Sequence, residues 1–227
     1  MGKPEVLELL VFHLGPLHIG TTVLTTWLLM ALLAGVAWFG TRHLSVASPS
    51  RMQTALEGTV LALQQAIEDA APSHAARLLP FIGTLWIFIA AANLMGLVPG
   101  LRSPTGDLSL TVALAMLVFV LVHWFGIRID GPRAYLRHYL DPNPILLPFH
   151  LLGEVTRTLA LAVRLFGNMM SLEMAALLVL LVAGFLAPIP LLMLHIVEAL
   201  VQAYIFGTLA LVYVAGALQS HELNKKE

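Results

Sequence analysis

The chain has 227 residues, of which 59% are hydrophobic and only 11% are charged, and its mean hydropathy is +0.87. Soluble domains carry about 25% charged residues, so this composition excludes an ordinary soluble protein and favours one that crosses a membrane several times. The formal net charge of −1 gives no reason to expect a nucleic-acid partner, and the absence of cysteine excludes disulfide and thiolate chemistry.

The predicted elements follow from the apolar runs, because a helix needs about 20 apolar residues to cross a bilayer. Five segments are long enough, and they cover about residues 21–39, 78–97, 108–125, 149–186 and 191–218. The fourth has nearly twice the length that one crossing needs, so we expect it to tilt strongly, to bend or to begin in water. Residues 1–20 lack the basic leader and apolar core of a signal peptide, so we expect no cleavage there.

Between the first two spans, residues from about 50 to 71 carry apolar side chains at three- and four-residue steps, with Gln and Glu off that stripe. The stripe consists of Met52, Leu56, Val60, Leu63 and Ile67. This spacing is typical of an amphipathic helix, and we predict that it lies on the membrane surface. The alternative is a soluble helix that packs on a partner subunit.

Lysine and arginine concentrate on the cytoplasmic side of membrane proteins, so their positions predict orientation. With five spans, one side holds most of them: Arg42, Arg51, Arg77, Arg128, Arg133, Arg137, Lys225 and Lys226. The other side holds Lys3 and Arg102. We therefore predict one polytopic membrane domain over residues 1–227, with residues 1–20 outside and the surface helix and C-terminus in the cytoplasm. No internal repeat is evident, so the inverted-repeat plan of many secondary transporters is not supported.

The fourth span contains Arg164, and an arginine at the centre of a membrane helix costs about 2.5–3.5 kcal/mol. Arginine does not deprotonate at any workable pH, so Arg164 holds a fixed charge that pairs with a carboxylate or repels a cation. Asn168 follows one turn later on the same face, and Glu173 lies near the opposite face. Arg157 lies about 10 Å nearer the cytoplasmic end, where its side chain can snorkel to the interface.

The last span carries His195, Glu198 and Gln202 on one face of an otherwise apolar helix. A single histidine there is most often a hydrogen-bonded core residue, but three polar groups in one stripe indicate an aqueous or proton-conducting path. The last two spans must form an antiparallel hairpin. If its turn centres near Gly184, Glu173 faces His195 and the two polar stripes meet, whereas a turn four residues later shifts every pairing by two turns.

The predicted fold class is therefore an all-α integral membrane protein with five transmembrane helices and one amphipathic surface helix. Its last two spans form a long tilted hairpin. We favour the turn near residue 184 because it brings Arg164 within one turn of Gln202 and gives each costly group a polar neighbour.

Two motifs of this hairpin resemble subunit a of the rotary F-type ATP synthase: "RLFGNM" with a Glu nine residues after its Arg, and "HIVEALVQAYIFGTLALVYV". The segments "MQTALE", "NLMGLVPG" and "SPTGDLSLT" resemble that family's surface helix, second span and following loop, so the likeness covers most of the chain from about residue 51. The resemblance implies a stator in a bacterial inner membrane. Its implied partners are the lipid bilayer, b-type peripheral-stalk subunits and a rotating c-ring whose subunits each carry one membrane carboxylate.

Carried over by position, the resemblance makes Arg164 the family's essential arginine. Other polar positions of the family are occupied here by Asn168, Glu173, His195 and Gln202. Glu198 joins them by its place on the same stripe alone. An ion from outside would pass Glu173, His195 and Glu198 to a ring carboxylate, and Arg164 would separate this path from a second one that opens to the cytoplasm.

The sequence departs from the family's pattern in the cytoplasmic half. The family usually has an acidic residue fourteen positions before its arginine, and this chain has His150 there. A proline often follows the nearby basic residue, and here Thr158 follows Arg157. We expect Glu154, with Tyr213 opposite it in the hairpin, to replace the missing acid in part. These departures are compatible with a divergent branch, and the sequence leaves open whether protons or sodium ions move.

Other functions compatible with these residues are a self-sufficient channel or porter, an intramembrane metalloenzyme that uses His195 and Glu198, and a scaffold without transport. One histidine and one or two carboxylates make a thin ligand set for a metal. The chain contains no G-x-x-x-x-G-K-[ST], G-x-G-x-x-G, H-E-x-x-H or G-x-S-x-G motif. We therefore expect no catalytic site, cofactor or metal in this chain, and any nucleotide chemistry must take place on a partner.

Overall fold

The computed structural model describes residues 12–14, 17–42, 44–46, 49–98, 101, 103–131, 147–184 and 189–224. Its helices are α1 (Thr21–Thr41), α2 (Arg51–Ala70), α3 (Ala75–Met95), α4 (Leu108–Asp130), α5 (Leu147–Ala183) and α6 (Ile189–Asn224). A short antiparallel hairpin, β1 (Phe12–Leu14) with β2 (Leu17–Ile19), precedes them, and the sequence reasoning does not predict it.

Five helices, α1, α3, α4, α5 and α6, are long and apolar enough to cross a membrane. The five predicted spans and the all-α class are thus confirmed for the described residues, apart from the short β hairpin. With 37 and 36 residues, α5 and α6 are each about 55 Å long, which exceeds the hydrocarbon core of about 30 Å. Each must therefore tilt or extend beyond the apolar layer.

The predicted orientation depends in large part on residues that lie outside the described ones. These are Lys3, Arg102, Arg133, Arg137, Lys225 and Lys226. Residues 1–11, most of the segment predicted to lie outside the cell, also fall outside the described ranges. The orientation therefore stays a prediction.

Local signals set the ends of the helices that carry the polar residues. Asp107 begins α4 as its N-cap, because the carboxylate accepts a hydrogen bond of 2.9 Å from the Ser109 N–H. Gly184 ends α5 with a φ of +84°, a left-handed conformation that glycine adopts without a Cβ clash, and its N–H donates to the Leu180 carbonyl. Helix α5 thus ends next to the residue near which the sequence favours the turn.

The amphipathic helix α2 packs only part of its apolar stripe against the rest of the chain. Ile67 is fully buried in the main core, and Leu63 packs near Gly83 of α3. Met52 and Val60, at the other end of the stripe, are about half exposed, at 50% and 47%. The helix prediction is confirmed, and the exposed half of the stripe is the part available to a membrane surface or a partner.

Helices α3 and α6 form the centre of the main core. Leu78, Ile82 and Ile89 of α3 are fully buried against a cluster that includes Phe206 and Val214 of α6. The helix α1, by contrast, buries only Thr26 and Leu29 of its own residues. Large apolar side chains remain exposed along the spans, which is expected of surfaces that lipid covers.

The register of the α5–α6 hairpin is displaced by about two residues from the predicted one. The Asn168 amide donates a hydrogen bond of 2.6 Å to Oε1 of Gln202, across the two helices. Nearer the other end, the Arg157 guanidinium lies over the Tyr213 ring, 5.5 Å from its centroid. Both pairings fit a turn next to residue 184 and exclude the alternative turn four residues later.

Candidate functional site

Arg164 lies on the outer face of α5, in the middle of the apolar run. Its neighbours Leu161 and Leu165 are buried in the core, at 2% and 0% exposure, whereas Arg164 itself is exposed. Within the part of the chain that the structure describes, no side chain or backbone group pairs with its guanidinium. The chain therefore presents a fixed, unpaired cation on a surface that is otherwise apolar.

The open face around Arg164 is shaped by small and apolar residues. A Cβ added to Gly167 would meet nothing within 4 Å, and the exposed side chains of Val163 and Met170 flank the same stretch of α5. This face can accept a closely packed helix from outside the chain, because no described side chain covers it at Gly167.

A buried polar contact lies behind Arg164. Gln202 of α6 is 1% exposed and accepts the hydrogen bond from Asn168, one turn after Arg164 on α5. The predicted proximity of the two polar stripes is confirmed at this contact. The amide nitrogen of Gln202, Nε2, is also buried and has no hydrogen-bond partner among the described residues.

His195, the first residue of the predicted α6 stripe, belongs to a buried network that joins α3, α6 and the loop before α4. The ring Nε2 lies 3.3 Å from the carbonyl oxygen of Asn93, and the Asn93 amide donates to the Ala199 carbonyl at 3.1 Å. Thr105 donates to Oδ1 of Asn93 at 2.7 Å and shares a hydrogen bond of 2.7 Å with Ser103.

Sequence reasoning missed three members of this network: Asn93, Ser103 and Thr105. All three are at most 4% exposed. The sequence contains two signals: the amide of Asn93 inside the second span, and the Ser- and Thr-rich segment 103–111 that follows this span. Buried uncharged polar groups of this kind are hydrogen-bonded almost without exception, so Asn93 in a span implied partners elsewhere in the chain.

Glu173 lies on the far side of the same loop. A Cβ added to Gly106 would lie 3.4 Å from both carboxylate oxygens of Glu173, which is van der Waals contact, so this carboxylate lies close against Gly106. Oε1 of Glu173 is buried without a hydrogen-bond partner among the described residues. The predicted direct contact between Glu173 and His195 is absent from the described residues; the two side chains instead approach the same loop, at Gly106 and beside Ser103.

Glu198 lies on α6 between His195 and Gln202, and its side chain is half-buried. Near the other end of α5, the tentative residues of the cytoplasmic half are arranged differently from the prediction. Glu154 forms an ion pair of 2.9 Å with His123 of α4, which the sequence does not predict. Tyr213, expected opposite Glu154, stacks with Arg157 one turn further along. His150 is exposed.

Asp107 lies outside the spans, at the N-terminus of α4. Burial raises the pKa of its carboxyl, but hydrogen bonds from the hydroxyl and N–H of Ser109 and from the Thr22 hydroxyl outweigh burial, so the pKa lies below its usual value. The Thr22 hydrogen bond, 2.8 Å long, ties α1 to the start of α4.

The arrangement holds no metal-ligand set in the described ranges, where no three His, Asp or Glu side chains come together. It contains titratable and amide side chains on α5 and α6 and the exposed cation Arg164. Such a set of groups can pass ions or protons between water and a group outside the chain.

Comparison with known proteins gives a match to the family model described as "ATP synthase A chain", over residues 23–215. The chain is 65% identical over 215 residues to "ATP synthase subunit a 2" of Pelobacter propionicus, which covers 95% of this chain and 94% of the relative. It is 63% identical over 207 residues to "ATP synthase subunit a 1" of Hahella chejuensis, covering 91% and 88%. It is 54% identical over 226 residues to "ATP synthase subunit a" of Legionella pneumophila, covering 100% and 98%.

Proposed function

The chain belongs to the ATP synthase A chain family, and on this premise we propose how its residues conduct ions. Members of this family are subunit a of the F-type ATP synthase, a membrane-embedded subunit that translocates ions and is not itself catalytic. Two half-channels lead to the carboxylates of a c-ring, and Arg164 separates them. The rotation of the ring carries each loaded site from one half-channel to the other.

One observation carries this proposal: Arg164 is exposed in the middle of an apolar helix and has no partner among the described residues. A cation at this depth is costly unless an anion compensates it. The compensating anion therefore comes from another subunit, and a membrane carboxylate on a neighbouring ring has the required charge. Arg164 favours the ionised form of that carboxylate and so drives release of its ion.

The outer half-channel runs along the polar groups at the end of the hairpin near residue 184. Glu173, beside Gly106, and His195, in the buried Asn93 network, are the first groups that an ion from outside meets. Glu198 follows on α6, and the Asn168–Gln202 contact lies nearest Arg164. The buried polar atoms without partners in this region support a path that water or ions enter.

The inner half-channel opens to the cytoplasm near the start of α5. His150 and Glu154 lie there, and Tyr213 lies on the facing part of α6. Glu154 takes over in part from the acid that the family's pattern puts at position 150. In the described structure, Glu154 pairs with His123, and Arg157 lies over the Tyr213 ring.

The proposal also fixes the surroundings of the chain. It is a multi-pass membrane protein, and we place it in a bacterial inner membrane with residues 1–20 outside and the C-terminus in the cytoplasm. The exposed face of α5 at Arg164 contacts the c-ring. Subunits of the b-type peripheral stalk hold the chain against rotation, and the exposed stripe of α2 lies on the membrane surface or against such a subunit.

Reconstitution tests the proposal against a self-sufficient channel. The purified chain alone, in liposomes with an imposed ion gradient, should give no flux above protein-free liposomes, because its cation has no ring to load. The whole ATP synthase complex, reconstituted in the same way, should pump ions when ATP is added. Ion flux through the isolated chain would overturn the stator function. Repeating the pumping assay without sodium identifies the ion, since acidification that persists indicates protons.

A further inference from the structure

Helix α4 contributes His123, to which the proposed function assigns no role, to an ion pair with Glu154 of α5. Nε2 of His123 lies 2.9 Å from Oε2 of Glu154 on α5. Both side chains are about one-quarter exposed, at 26% and 22%. The pair therefore lies at the edge of the packed core, with the contacting oxygen Oε2 of Glu154 itself buried, within the span that ends at Arg128.

The contact of the second ring nitrogen of His123 shows which of the two ring nitrogens carries a hydrogen. Nδ1 lies 2.8 Å from the backbone carbonyl of Phe119, and a carbonyl oxygen only accepts hydrogen bonds. Nδ1 must therefore carry a hydrogen. In a neutral imidazole the remaining nitrogen, Nε2, then has only a lone pair to offer.

The short distance between His123 Nε2 and the Glu154 carboxylate requires a proton between the two groups. A bare Nε2 and an ionised carboxylate would turn lone pairs toward each other at 2.9 Å. One shared proton removes this repulsion, either as imidazolium with carboxylate or as imidazole with carboxylic acid. The geometry thus describes a site that holds one proton at rest.

The position of the pair is on the cytoplasmic side of Arg164. Glu154 precedes Arg164 by ten residues, about 15 Å along α5. His123 precedes Arg128 by five residues, about 8 Å along α4, near the end of that span. Among the described residues, Arg128 on α4 and His150 and Arg157 on α5 lie within five residues of the pair in sequence, and Tyr213 of α6 contacts Arg157.

We propose that His123 and Glu154 form a proton relay at the mouth of the inner half-channel, which rests on the stator function proposed above. A proton from the ring reaches the pair through water and binds to the carboxylate, while the imidazolium keeps its own proton. One of the two protons then passes to cytoplasmic water, and the pair returns to its one-proton state. His123 is thus a further conducting residue of the chain.

A double substitution separates this relay from a merely structural contact. In His123→Gln with Glu154→Gln, two amides can still hydrogen-bond between α4 and α5, but neither can take up or release a proton. We expect ATP-driven proton transport by the reconstituted complex to fall by about tenfold or more and to lose the native dependence on pH at the ATP side. The matched control is His74→Gln, in the turn after α2, which should transport at the native rate.

Retention of at least half of native transport with the native pH profile, in the double variant, would overturn the relay and leave the pair as an interhelical contact. Should that variant not assemble with the ring, Glu154→Gln alone is measured in the same way, because its amide can donate to Nε2. Sodium-dependent native transport without a pH effect would also overturn it. The stator function is tested separately by Arg164, whose substitution stops transport in either case.

Discussion

Two buried polar atoms in the hairpin have no hydrogen-bond partner among the described residues: Oε1 of Glu173 and Nε2 of Gln202. Leaving such a group unsatisfied costs about 1–3 kcal/mol, so natural proteins keep few of them. Both residues lie on the path assigned to the outer half-channel. Their cost is expected where a conducting path must be free to bind a passing ion or water.

Replacing Glu173 by Gln tests this use of a carboxylate. The substitution keeps the side-chain size beside Gly106 but removes the charge and the exchangeable proton. We expect ATP-driven transport to fall by about tenfold or more, because a proton-transfer group is lost. Glu68→Gln, on the exposed face of α2, is the control and should leave transport unchanged. Equal transport by the two variants would show that the carboxylate is not part of the path.

The sequence identifies the charged site residues better than the neutral ones. Arg164, Glu173 and His195 are conspicuous because each is costly in an apolar run. Asn93 and Thr105 carry no charge and become significant only through three-dimensional packing, which brings a loop onto α3 and α6. The partner of Glu154 was missed for the same reason, since His123 lies on a helix whose contact with α5 is not encoded in spacing.

At the scale of elements, the close packing of α3 against α6 supports the hairpin of α5 and α6. The Trp86 indole of α3 lies against Gly207, and its N–H donates a hydrogen bond of 3.2 Å to the Tyr204 carbonyl. The Trp86 ring also stacks with the Tyr204 ring, with the planes 2° apart. A side chain at Gly207 would occupy the space that the indole fills.

Gly207→Ala should therefore weaken the packing of α3 on α6. We expect a loss of about 1–3 kcal/mol, typical of overpacking, and a lower Tm of the detergent-solubilised complex. The matched control is Gly216→Ala on the same helix, where a Cβ meets nothing within 4 Å. That change should leave Tm equal or slightly higher, because alanine favours helix. Similar melting of the two variants would show that the indole moves aside at little cost.

The start of α4 offers a second element-scale prediction, at Asp107. Asp107→Ala removes the N-cap and the link to Thr22, and should cost about 1 kcal/mol at neutral pH, measured as a lower Tm. Asp107→Asn retains a good N-cap and should lose less. Because folding lowers the pKa of this carboxyl, its stabilisation is present above about pH 4 and is lost as the pH falls further. A deficit in Asp107→Ala that persists unchanged at lower pH would contradict this assignment.

At the scale of the whole molecule, the spans and the hairpin turn could be predicted because bilayer thickness and the cost of membrane charges act directly on sequence. The end of α5 at Gly184 agrees with the requirement for polar neighbours across the hairpin, but the observed pair is Asn168–Gln202 and the predicted pair is Glu173–His195. The β1–β2 hairpin could not be predicted in this way, since its strands have only three residues each. Orientation depends on loop charges that lie largely outside the described residues.

Most of the described helices pack around a common core, but the charge of Arg164 has no partner among the described residues. The core joins α3, α4, α5 and α6, yet the fixed charge of Arg164 is presented to the outside. That combination suits a subunit whose function is shared with a moving neighbour. Substitution of this one residue should therefore affect transport far more than folding.

The most direct measurement is ATP-driven ion transport by the reconstituted complex that carries Arg164→Ala. Arg77→Ala serves as the control, because Arg77 is also exposed but lies at the start of α3. We predict that transport falls to background with Arg164→Ala, while the subunits still assemble and hydrolyse ATP, and that it stays native with Arg77→Ala. Transport at the native rate by the assembled Arg164→Ala complex would contradict the account.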